Sequence, residues 1–272
     1  MDARELFSLA PHGPDTLVGN GPQYPWGGLY GGQIVAQALC AAAATVDPEL
    51  HIHSLRAYFI RRGDAEESVR YEVDRIRDGR SFCTRRVVAR QVIGAILNLE
   101  ASFHRAERSV DVETVTMPLD VPSPDDLLND SWSKLFDRRW VPSRYLPPDG
   151  RTGAGRAAAW LRAAGPLGDD PLLHRCMLAF LSDDLPTDAV VRAHPLGQES
   201  RQDLDEVMFS ASLDHTIWFH RPLRVDQWHL HDFTCHSFVG GRGLAIGHVF
   251  AAEGTHVATV AQEVLMRDKR ER

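Results

Sequence analysis

The sequence predicts an α+β protein built from two similar halves, and three observations support this prediction. Each half begins with an apolar stretch at helical spacing and continues with four segments of strand character. A stretch rich in proline and aspartate separates the halves. The chain has 272 residues, 43% of them hydrophobic, which is sufficient for one large domain or two small domains with their own cores.

The first half opens with the helix signal. In GGQIVAQALCAAAATV, apolar side chains recur at helical spacing and form one face. They are Ile34, Val35, Ala38, Leu39 and Ala42. Four strand-like segments follow: HIHSLRAYFI, SVRYEVDRIR, SFCTRRVVAR and AILNLEASFHR. The tripeptide RDG between the second and third segments is typical of a hairpin turn. The first half is therefore predicted to be a helix followed by an antiparallel meander.

Residues 106–150 differ in composition from both flanks. TMPLDVPSPDD and WVPSRYLPPDG are rich in proline and aspartate, which is typical of a connector, and LLNDSWSKLFDRRW between them is compatible with a short helix. We therefore predict an N-terminal domain over residues 1–110, a connector over 111–150 and a C-terminal domain over 151–272.

The second half repeats the order of the first. LLHRCMLAFLSDD predicts a helix, and four strand-like segments follow it: VMFSASLDHTIWFH, HLHDFTCHSF, RGLAIGHVFAA and HVATVAQEVLMR. Internal duplication is the simplest explanation. A helix wrapped by an antiparallel sheet, made twice, indicates two hot-dog units, and two such sheets packed side by side form a double hot dog. Periodicity alone leaves two generic α+β domains as an alternative.

Composition argues against several functional classes. The net charge of −7 disfavours binding to nucleic acid or to an anionic membrane surface. No apolar run approaches the ~18 residues that a membrane-inserted helix needs. Signal-peptide, HExxH, P-loop, EF-hand and CxxC patterns are absent from the sequence, which ends in KRER and not in the peroxisomal SKL. We therefore expect a cytoplasmic protein with no metal and no cofactor.

The segment FSASLDHTIWFHRP, residues 209–222, contains the residue types of a serine-hydrolase triad. Regular strand alternation places Ser212 and His215 on opposite faces of the sheet, so that His215 would not serve as the base of Ser212. No GxSxG motif exposes a serine elsewhere. A triad completed by a distant histidine remains an alternative that the sequence disfavours.

Three polar residues interrupt apolar segments of the second half. Asp183 ends an apolar helix, and Gln262 interrupts the run HVATVAQEVLM. Ser212 lies in a strand between Phe209 and Leu213. Buried polar groups are costly unless they are hydrogen-bonded, so a convergent set could hold a water molecule with Asp183 as its general base. Spacing alone favours the simpler explanations, which are a helix end, an exposed strand residue and a small sheet residue.

Motifs in both halves resemble the acyl-CoA thioesterase II family. YGGQIVAQAL, HSLRAYFIRRGD, RDGRSF with TRRVVARQ, LDHTIWFHRP and VAQEVLMR occur in the family's order, roughly over residues 25–105 and 172–268. The resemblance implies a double hot dog that hydrolyses acyl-CoA to free fatty acid and coenzyme A. It also implies that the reaction needs neither a metal nor a covalent intermediate.

The resemblance also implies a catalytic set. The family's aspartate, its serine or threonine, and the glutamine of its final strand fall on Asp183, Ser212 and Gln262. Asp184 is the alternative to Asp183, because the family's S-D pair aligns with SDD in this chain. The implied mechanism is a water molecule that is activated by Asp183, oriented by Ser212 and Gln262, and directed at the thioester carbonyl.

Substrate-binding residues are predicted in the first half. Gly31 and Gly32, at the start of the first helix, would let backbone N–H groups approach the oxyanion, with tight packing as the alternative explanation. Tyr58 is predicted to contact the substrate, and three further aromatic residues could line an acyl channel with it, with ordinary core packing as the alternative: Trp26, Tyr30 and Phe59. Arginines are expected to bind the phosphates of coenzyme A. The candidates are Arg61, Arg62, Arg80, Arg85, Arg86 and Arg242.

The expected partner is therefore an acyl-CoA substrate. Free sheet edges favour association, which predicts a homo-dimer or homo-tetramer. Two other functions remain compatible with the same fold. One is a hydratase or dehydratase acting on acyl thioesters, which usually needs a histidine with a carboxylate. The other is a non-catalytic acyl-CoA-binding protein.

Overall fold

A computed structural model of the chain describes residues 1–146, 155–198 and 206–271. Over these ranges the strands form one 13-stranded antiparallel sheet. The helices are α1 (Ala3–Leu6), α2 (Gly31–Ala43), α3 (Pro171–Leu181) and α4 (Pro186–Ala193). The first-half strands are β1 (Ala10–Pro11), β2 (Thr16–Gly19), β3 (Leu50–Phe59), β4 (Val69–Asp78), β5 (Phe82–Gln91) and β6 (Gly94–Arg105). The remaining strands are β7 (Phe136–Trp140), β8 (Arg156–Ala163), β9 (Met208–Ser212), β10 (Asp214–Phe219), β11 (His229–Val239), β12 (Arg242–Ala251) and β13 (His256–Asp268).

The two halves arrange their strands in the same order. From the outside towards the centre, the first half runs β2-β4-β5-β6-β3 and the second runs β8-β11-β12-β13-β10. The halves join where β3 pairs antiparallel with β10, with Leu55 opposite Ile217. The repeated order agrees with the internal duplication that the sequence predicts. It also places β3 and β10 at the centre of the sheet.

Both helices that the sequence predicts are present, as α2 and α3. Their apolar faces are buried, and α2 packs against β3 to β6. Proline at the first position of α3 and the side chain of Asp170, which accepts the N–H of Leu172 at 2.9 Å, define its start. The two helices run antiparallel against each other, because the start of α2 meets the end of α3. Within the described ranges, no helix has the length and apolar character needed to cross a membrane.

The region predicted as a connector contains a strand where a short helix was expected. The segment LLNDSWSKLFDRRW, residues 127–140, ends in β7, which pairs with β8. The helix prediction is wrong because Arg138 of β7 is buried in an ion pair with Asp184, a tertiary contact that local propensity does not reveal. The predicted boundary between residues 150 and 151 lies outside the described residues.

The segment VMFSASLDHTIWFH forms two strands and not one. On β9, Ser212 is opposite Val264 of β13, whereas on β10 Thr216 is opposite Ala261, so the register shifts by one residue between them. The extra residue lies at Leu213, which belongs to neither strand. Such a bulge reverses the alternation of side chains between the faces of a strand. The prediction of unbroken alternation through this segment is therefore wrong.

Candidate active site

The end of α3 and the start of α2 position the carboxylate of Asp183. Asp183 lies two residues after the end of α3 and is only 8% exposed. Its Oδ2 atom points to the start of α2, where a Cβ built on Gly31 would lie 2.6 Å away. The first N–H groups of a helix lack intrahelical partners and favour an anion. The absence of a side chain at Gly31 therefore lets a carboxylate reach a helix N-terminus.

Burial dominates the electrostatics of this carboxylate. It raises the pKa of Asp183 to about 7, against the nearby donor groups of Gln262, the backbone N–H of Gly32 and Ser212, which favour the ionised form. The nearby charge of Asp184 raises the pKa further. Oδ1 of Asp183 is buried without a hydrogen-bond partner at normal distance among the described residues. The group is thus balanced between acid and base near neutral pH, with one oxygen still able to accept a proton.

Gln262 of β13 links the other polar groups to this carboxylate. It is fully buried, and its Nε2 donates to Oγ of Ser212 at 2.8 Å. Its Oε1 contacts Nδ1 of His215. Because a carboxylate can only accept, the NH₂ side of the amide is the side that serves Asp183. The structure therefore brings together Asp183, Ser212 and Gln262, the three residues singled out in the sequence.

The predicted separation of Ser212 and His215 is wrong. Both side chains contact the amide of Gln262, because the bulge at Leu213 turns Ser212 towards the side on which His215 lies. The amide occupies the place between them, and the second ring nitrogen of His215 contacts Ser182. His215 is still not placed as the base of Ser212. The reason is that the amide of Gln262 lies between the two side chains, and not that they lie on opposite faces of the sheet.

His215 and Ser182 are residues of the cluster that the sequence reasoning missed. His215 is fully buried, and burial lowers its pKa to about 4, so the ring is neutral at physiological pH. Its Nδ1 must carry the proton, since the amide oxygen of Gln262 only accepts. Nε2 then lies 2.8 Å from Oγ of Ser182, whose single hydroxyl hydrogen is shared between this nitrogen and the carbonyl of Ala179 at 3.0 Å. The sequence signal that could have revealed them is that each is a polar side chain in an otherwise apolar segment.

Asp184, the alternative base, has a different environment. Nη1 of Arg138 lies 3.0 Å from both of its carboxylate oxygens, and Nε1 of Trp132 donates to Oδ1 at 2.6 Å. The side chains of Arg138 and Asp184 are 5% and 4% exposed. Asp184 is therefore held in a buried ion pair, while the adjacent Asp183 keeps an oxygen without a partner.

Two of the three predicted substrate-binding residues lie beside Asp183. Gly31 and Gly32 form the start of α2, and the ring of Phe59 packs against Gly31. Tyr58 lies on the opposite face of β3 from Phe59 and is 63% exposed, so the structure does not bring it into this cluster. Its contact with a substrate stays a prediction. Beside the site, six aromatic rings pack together: Tyr24, Trp26, Tyr30, Trp132, Phe136 and Phe180.

Several arginines predicted to bind phosphate have partners within the protein. Arg85 is buried and binds Asp78 and Thr45, which ties β5 to the end of α2. Arg86 and Arg242 form ion pairs on the sheet. Among the described residues, no three histidine, cysteine or acidic side chains form a group that could hold a metal ion.

Fold and site together define a class of protein. A large antiparallel sheet with buried helices carries an acid, a hydroxyl and an amide, arranged around an acid oxygen that is able to accept a proton. The histidine of this cluster, His215, contacts the amide of Gln262 and Ser182, whereas Ser212 accepts from the same amide. A carboxylate in this setting is chemically able to take a proton from a water molecule, as a hydrolase on a hot-dog fold would require.

Comparison with known proteins defines the family. Residues 21–104 match the family described as "Acyl-CoA thioesterase N-terminal domain", and residues 111–266 match "Acyl-CoA thioesterase C-terminal domain". The chain belongs to the acyl-CoA thioesterase family and is a thioester hydrolase. The resemblance found in its motifs is thereby confirmed.

Relatives and solved structures agree with this assignment. The chain is 36% identical over 269 residues to acyl-coenzyme A thioesterase 8 of Mus musculus, covering 89% of this chain and 81% of the relative. It is 33% identical to acyl-CoA thioesterase 2 of Haemophilus influenzae, covering 88% and 87%. Acyl-CoA thioesterase II TesB2 of Mycobacterium marinum superposes with a TM-score of 0.84 at 34% identity, covering 99% and 98%. A hot-dog protein of Alicyclobacillus acidocaldarius, at 20% identity and a TM-score of 0.78, supports the fold alone.

Proposed function

We propose that this thioesterase hydrolyses acyl-CoA with a water molecule that Asp183 activates. The observation that carries the proposal is the buried Oδ1 of Asp183, which has no hydrogen-bond partner among the described residues. Such a group is costly to bury unless a ligand or water uses it. The pKa of about 7 suits a general base at neutral pH, because the group accepts a proton readily and still releases it.

Water bound to Oδ1 would attack the thioester carbonyl while Asp183 takes its proton. Gln262 and Ser212 donate towards the carboxylate and so keep it ionised and oriented. The tetrahedral intermediate then expels the sulfur of coenzyme A, and the proton on Asp183 passes to that thiolate. The products are a free fatty acid and coenzyme A. Ser212 acts as a hydrogen-bonding group and forms no covalent intermediate.

The start of α2 is the source of donors for the oxyanion. The N–H of Gly32 already favours the ionised Asp183, so we assign it to positioning the base. The N–H of Gly31, one residue earlier, is assigned to the developing oxyanion. The free N–H groups of one helix end would thus serve both the carboxylate that acts as base and the oxyanion of the intermediate.

The pH dependence of turnover tests this proposal directly. The protonated carboxyl cannot accept a proton from water, so log(kcat/KM) should rise with pH at a slope of one and level off near pH 7. We expect thiol release from at least one chain-length class among short, medium, long and branched acyl-CoAs, measured with a thiol reagent between pH 5 and 9. Absence of release from all of them, or a profile flat across pH 7, would contradict the assignment.

We also propose that His215 positions Gln262. An amide has two chemically different ends, and rotation by half a turn would aim its oxygen at Asp183. The proton on Nδ1 of His215 prevents this, since it binds only the oxygen end. Ser182, the residue before Asp183, orients the ring in turn through Nε2. The chain of contacts thus runs from the end of α3 through the ring and the amide back to Asp183.

Replacing His215 with alanine should lower kcat/KM by roughly 10–100-fold. The amide of Gln262 then loses its fixed orientation and favours the ionised Asp183 less, so the rise in the pH profile should move above pH 7. The measurement is the kcat/KM profile of the variant between pH 5 and 9.

His229→Ala is the matched control. His229 is also fully buried with a pKa lowered to about 4 by burial, but it contacts Gln227 of the loop before β11. It should lose stability without moving the pH profile. His215→Asn supplies an N–H at the position of Nδ1 and should restore the profile. A profile that stays at pH 7 in His215→Ala would refute the positioning role.

A hydratase or dehydratase on this fold is the main rival function. That chemistry usually pairs a histidine with a carboxylate, whereas His215 contacts Gln262 and Ser182. Assay of saturated and 2-enoyl thioesters separates the two activities, since only hydrolysis releases a thiol. A non-catalytic acyl-CoA-binding protein would release none from either substrate.

The organisation of the chain completes the proposal. We assign the two halves, residues 1–110 and 151–272, to two hot-dog units that form a double hot dog, joined by a connector over residues 111–150. The repeated strand order and the central pairing of β3 with β10 support this. Among the residues that the structure describes, the outermost strands β1 and β7 each pair on one side only, and such edges favour a homo-dimer or homo-tetramer. All four cysteines are free thiols, which fits a cytoplasmic location.

A further inference from the structure

Cys40 of α2 and Cys176 of α3 face each other across the two central helices. Their Sγ atoms lie 3.0 Å apart although the residues are 136 positions apart in the chain. Both are free thiols. The other two cysteines contact groups elsewhere, Cys83 the carboxylate of Asp78 and Cys235 a backbone carbonyl. One pair of thiols therefore bridges the two halves of the protein.

The close packing of the helices explains this proximity. At the other end of the same helix pair, Gly32 lies so near the carbonyl of Phe180 that a Cβ would come within 2.3 Å of it. The helices run antiparallel. Cys40 comes after Gly32 along α2, and Cys176 comes before Phe180 along α3, so the two cysteines lie at the same level of the helix pair. A disulfide has an S–S length of about 2.05 Å, so its formation needs the sulfurs to approach by only ~1 Å.

We propose that Cys40 and Cys176 form a reversible oxidation site, at which a hydroperoxide joins the two halves through a disulfide. The thiolate of Cys40 attacks the peroxide, the O–O bond breaks, and a sulfenic acid and a first water (or alcohol) result. The sulfur of Cys176 then attacks the sulfenic sulfur, and its proton leaves with the hydroxyl as a second water. Two thiols are oxidised and one peroxide is reduced.

The two cysteines differ in the way that these two reaction steps require. Cys40 is partly exposed, whereas Cys176 is fully buried. Burial raises the pKa of the Cys176 thiol well above its usual range. Cys40 is therefore the attacking residue, and Cys176 is the resolving residue.

The expected consequence is a covalent connection between α2 and α3. Gly31 and Asp183 lie at the other end of this helix pair. A crosslink over so long a loop restricts the unfolded chain strongly, so the oxidised protein should melt roughly 5–10 °C higher than the reduced protein. This inference does not depend on the catalytic assignments.

Mass spectrometry of the oxidised protein tests the proposal. The reduced chain is treated with hydrogen peroxide, quenched with catalase, unfolded, and alkylated with N-ethylmaleimide. We expect two alkyl groups in place of the four that the reduced protein takes up, and a peptide pair linking Cys40 to Cys176. Dithiothreitol should restore four alkylation sites and the lower melting temperature.

Variants distinguish this site from other oxidation. Cys40→Ser and Cys176→Ser should each abolish the linked peptide and the rise in melting temperature, whereas Cys235→Ser should retain both. The proposal is overturned if peroxide leaves four alkylation sites, or if it converts Cys40 to a sulfinic acid without a link. It is equally overturned if the link involves Cys83 or Cys235, or joins two chains.

Discussion

Asp183→Asn should lower kcat by ~10³-fold while acyl-CoA still binds. An amide cannot accept the proton of water, and general bases typically contribute 10²–10⁴-fold to a rate. The substitution keeps the size of the side chain, so the start of α2 and the amide of Gln262 retain their packing. Steady-state thiol release gives kcat. Because the variant turns over slowly, isothermal titration calorimetry with acyl-CoA gives its affinity for the substrate. Wild-type kcat in this variant would remove Asp183 from the mechanism.

Asp184→Asn is the control for this experiment, since the sequence left both aspartates as candidates. Its carboxylate is held by hydrogen bonds from Arg138 and Trp132. Removing one partner of a buried ion pair typically costs 3–5 kcal/mol, so this variant should lose stability. Its remaining folded fraction should keep a kcat within a few-fold of wild type. Reversed outcomes for the two variants would make Asp184 the base.

The same Asp183→Asn variant should gain stability at alkaline pH. A folded-state pKa of about 7 lies above the ordinary value of 3.8, so the folded protein binds more protons than the unfolded chain between these values. The free energy of unfolding of the wild type therefore falls as pH rises from about 4 to 7, by ~4 kcal/mol at most. The asparagine variant lacks this loss. Thermal melts should show its advantage over wild type at pH 8 and a smaller advantage at pH 5.

Periodicity predicted the elements that bury one face and expose the other. Helices α2 and α3 and the strands β3 to β6 follow the apolar patterns of the sequence, because each has a single core-facing side. Strand β8 was not predicted, since nearly all of its side chains are buried and its alanine-rich sequence does not alternate. Strand β7 was not predicted either, because its two buried side chains are an aromatic residue, Phe136, and a charged residue, Arg138, whose burial depends on the ion pair with Asp184.

The site shows a similar division. Asp183, Ser212 and Gln262 were recognisable as polar residues in apolar segments, but a pattern of period two could not show that they converge. Ser212 shares a face with His215 because of the one-residue bulge at Leu213, which local sequence does not reveal. The choice between two adjacent aspartates depends on Arg138, which lies in a region without recognisable pattern. Contacts between distant segments therefore complete the site.

Gly32→Ala should destabilise the protein and reduce its activity together. A Cβ at this position would lie 2.3 Å from the backbone oxygen of Phe180 and 2.5 Å from the ring of Tyr30, so α2 and α3 must separate to accept it. Overpacking of this kind costs about 2–3 kcal/mol. The shift also moves the N–H of Gly32 away from Asp183, and a displacement of about 1 Å at a site can lower kcat by ~10²-fold. Chemical denaturation and thiol release measure the two effects.

Gly31→Ala separates the two contributions, because its Cβ meets the carboxylate of Asp183 at 2.6 Å and not the backbone of α3. A side chain can rotate away at small cost, so this variant should keep most of its stability while its activity falls. The pair of variants thus distinguishes an effect on the base from an effect on helix packing. A Gly32→Ala variant that melts and turns over like wild type would contradict the close approach of the helices, and with it the explanation of how a helix start reaches the carboxylate of Asp183.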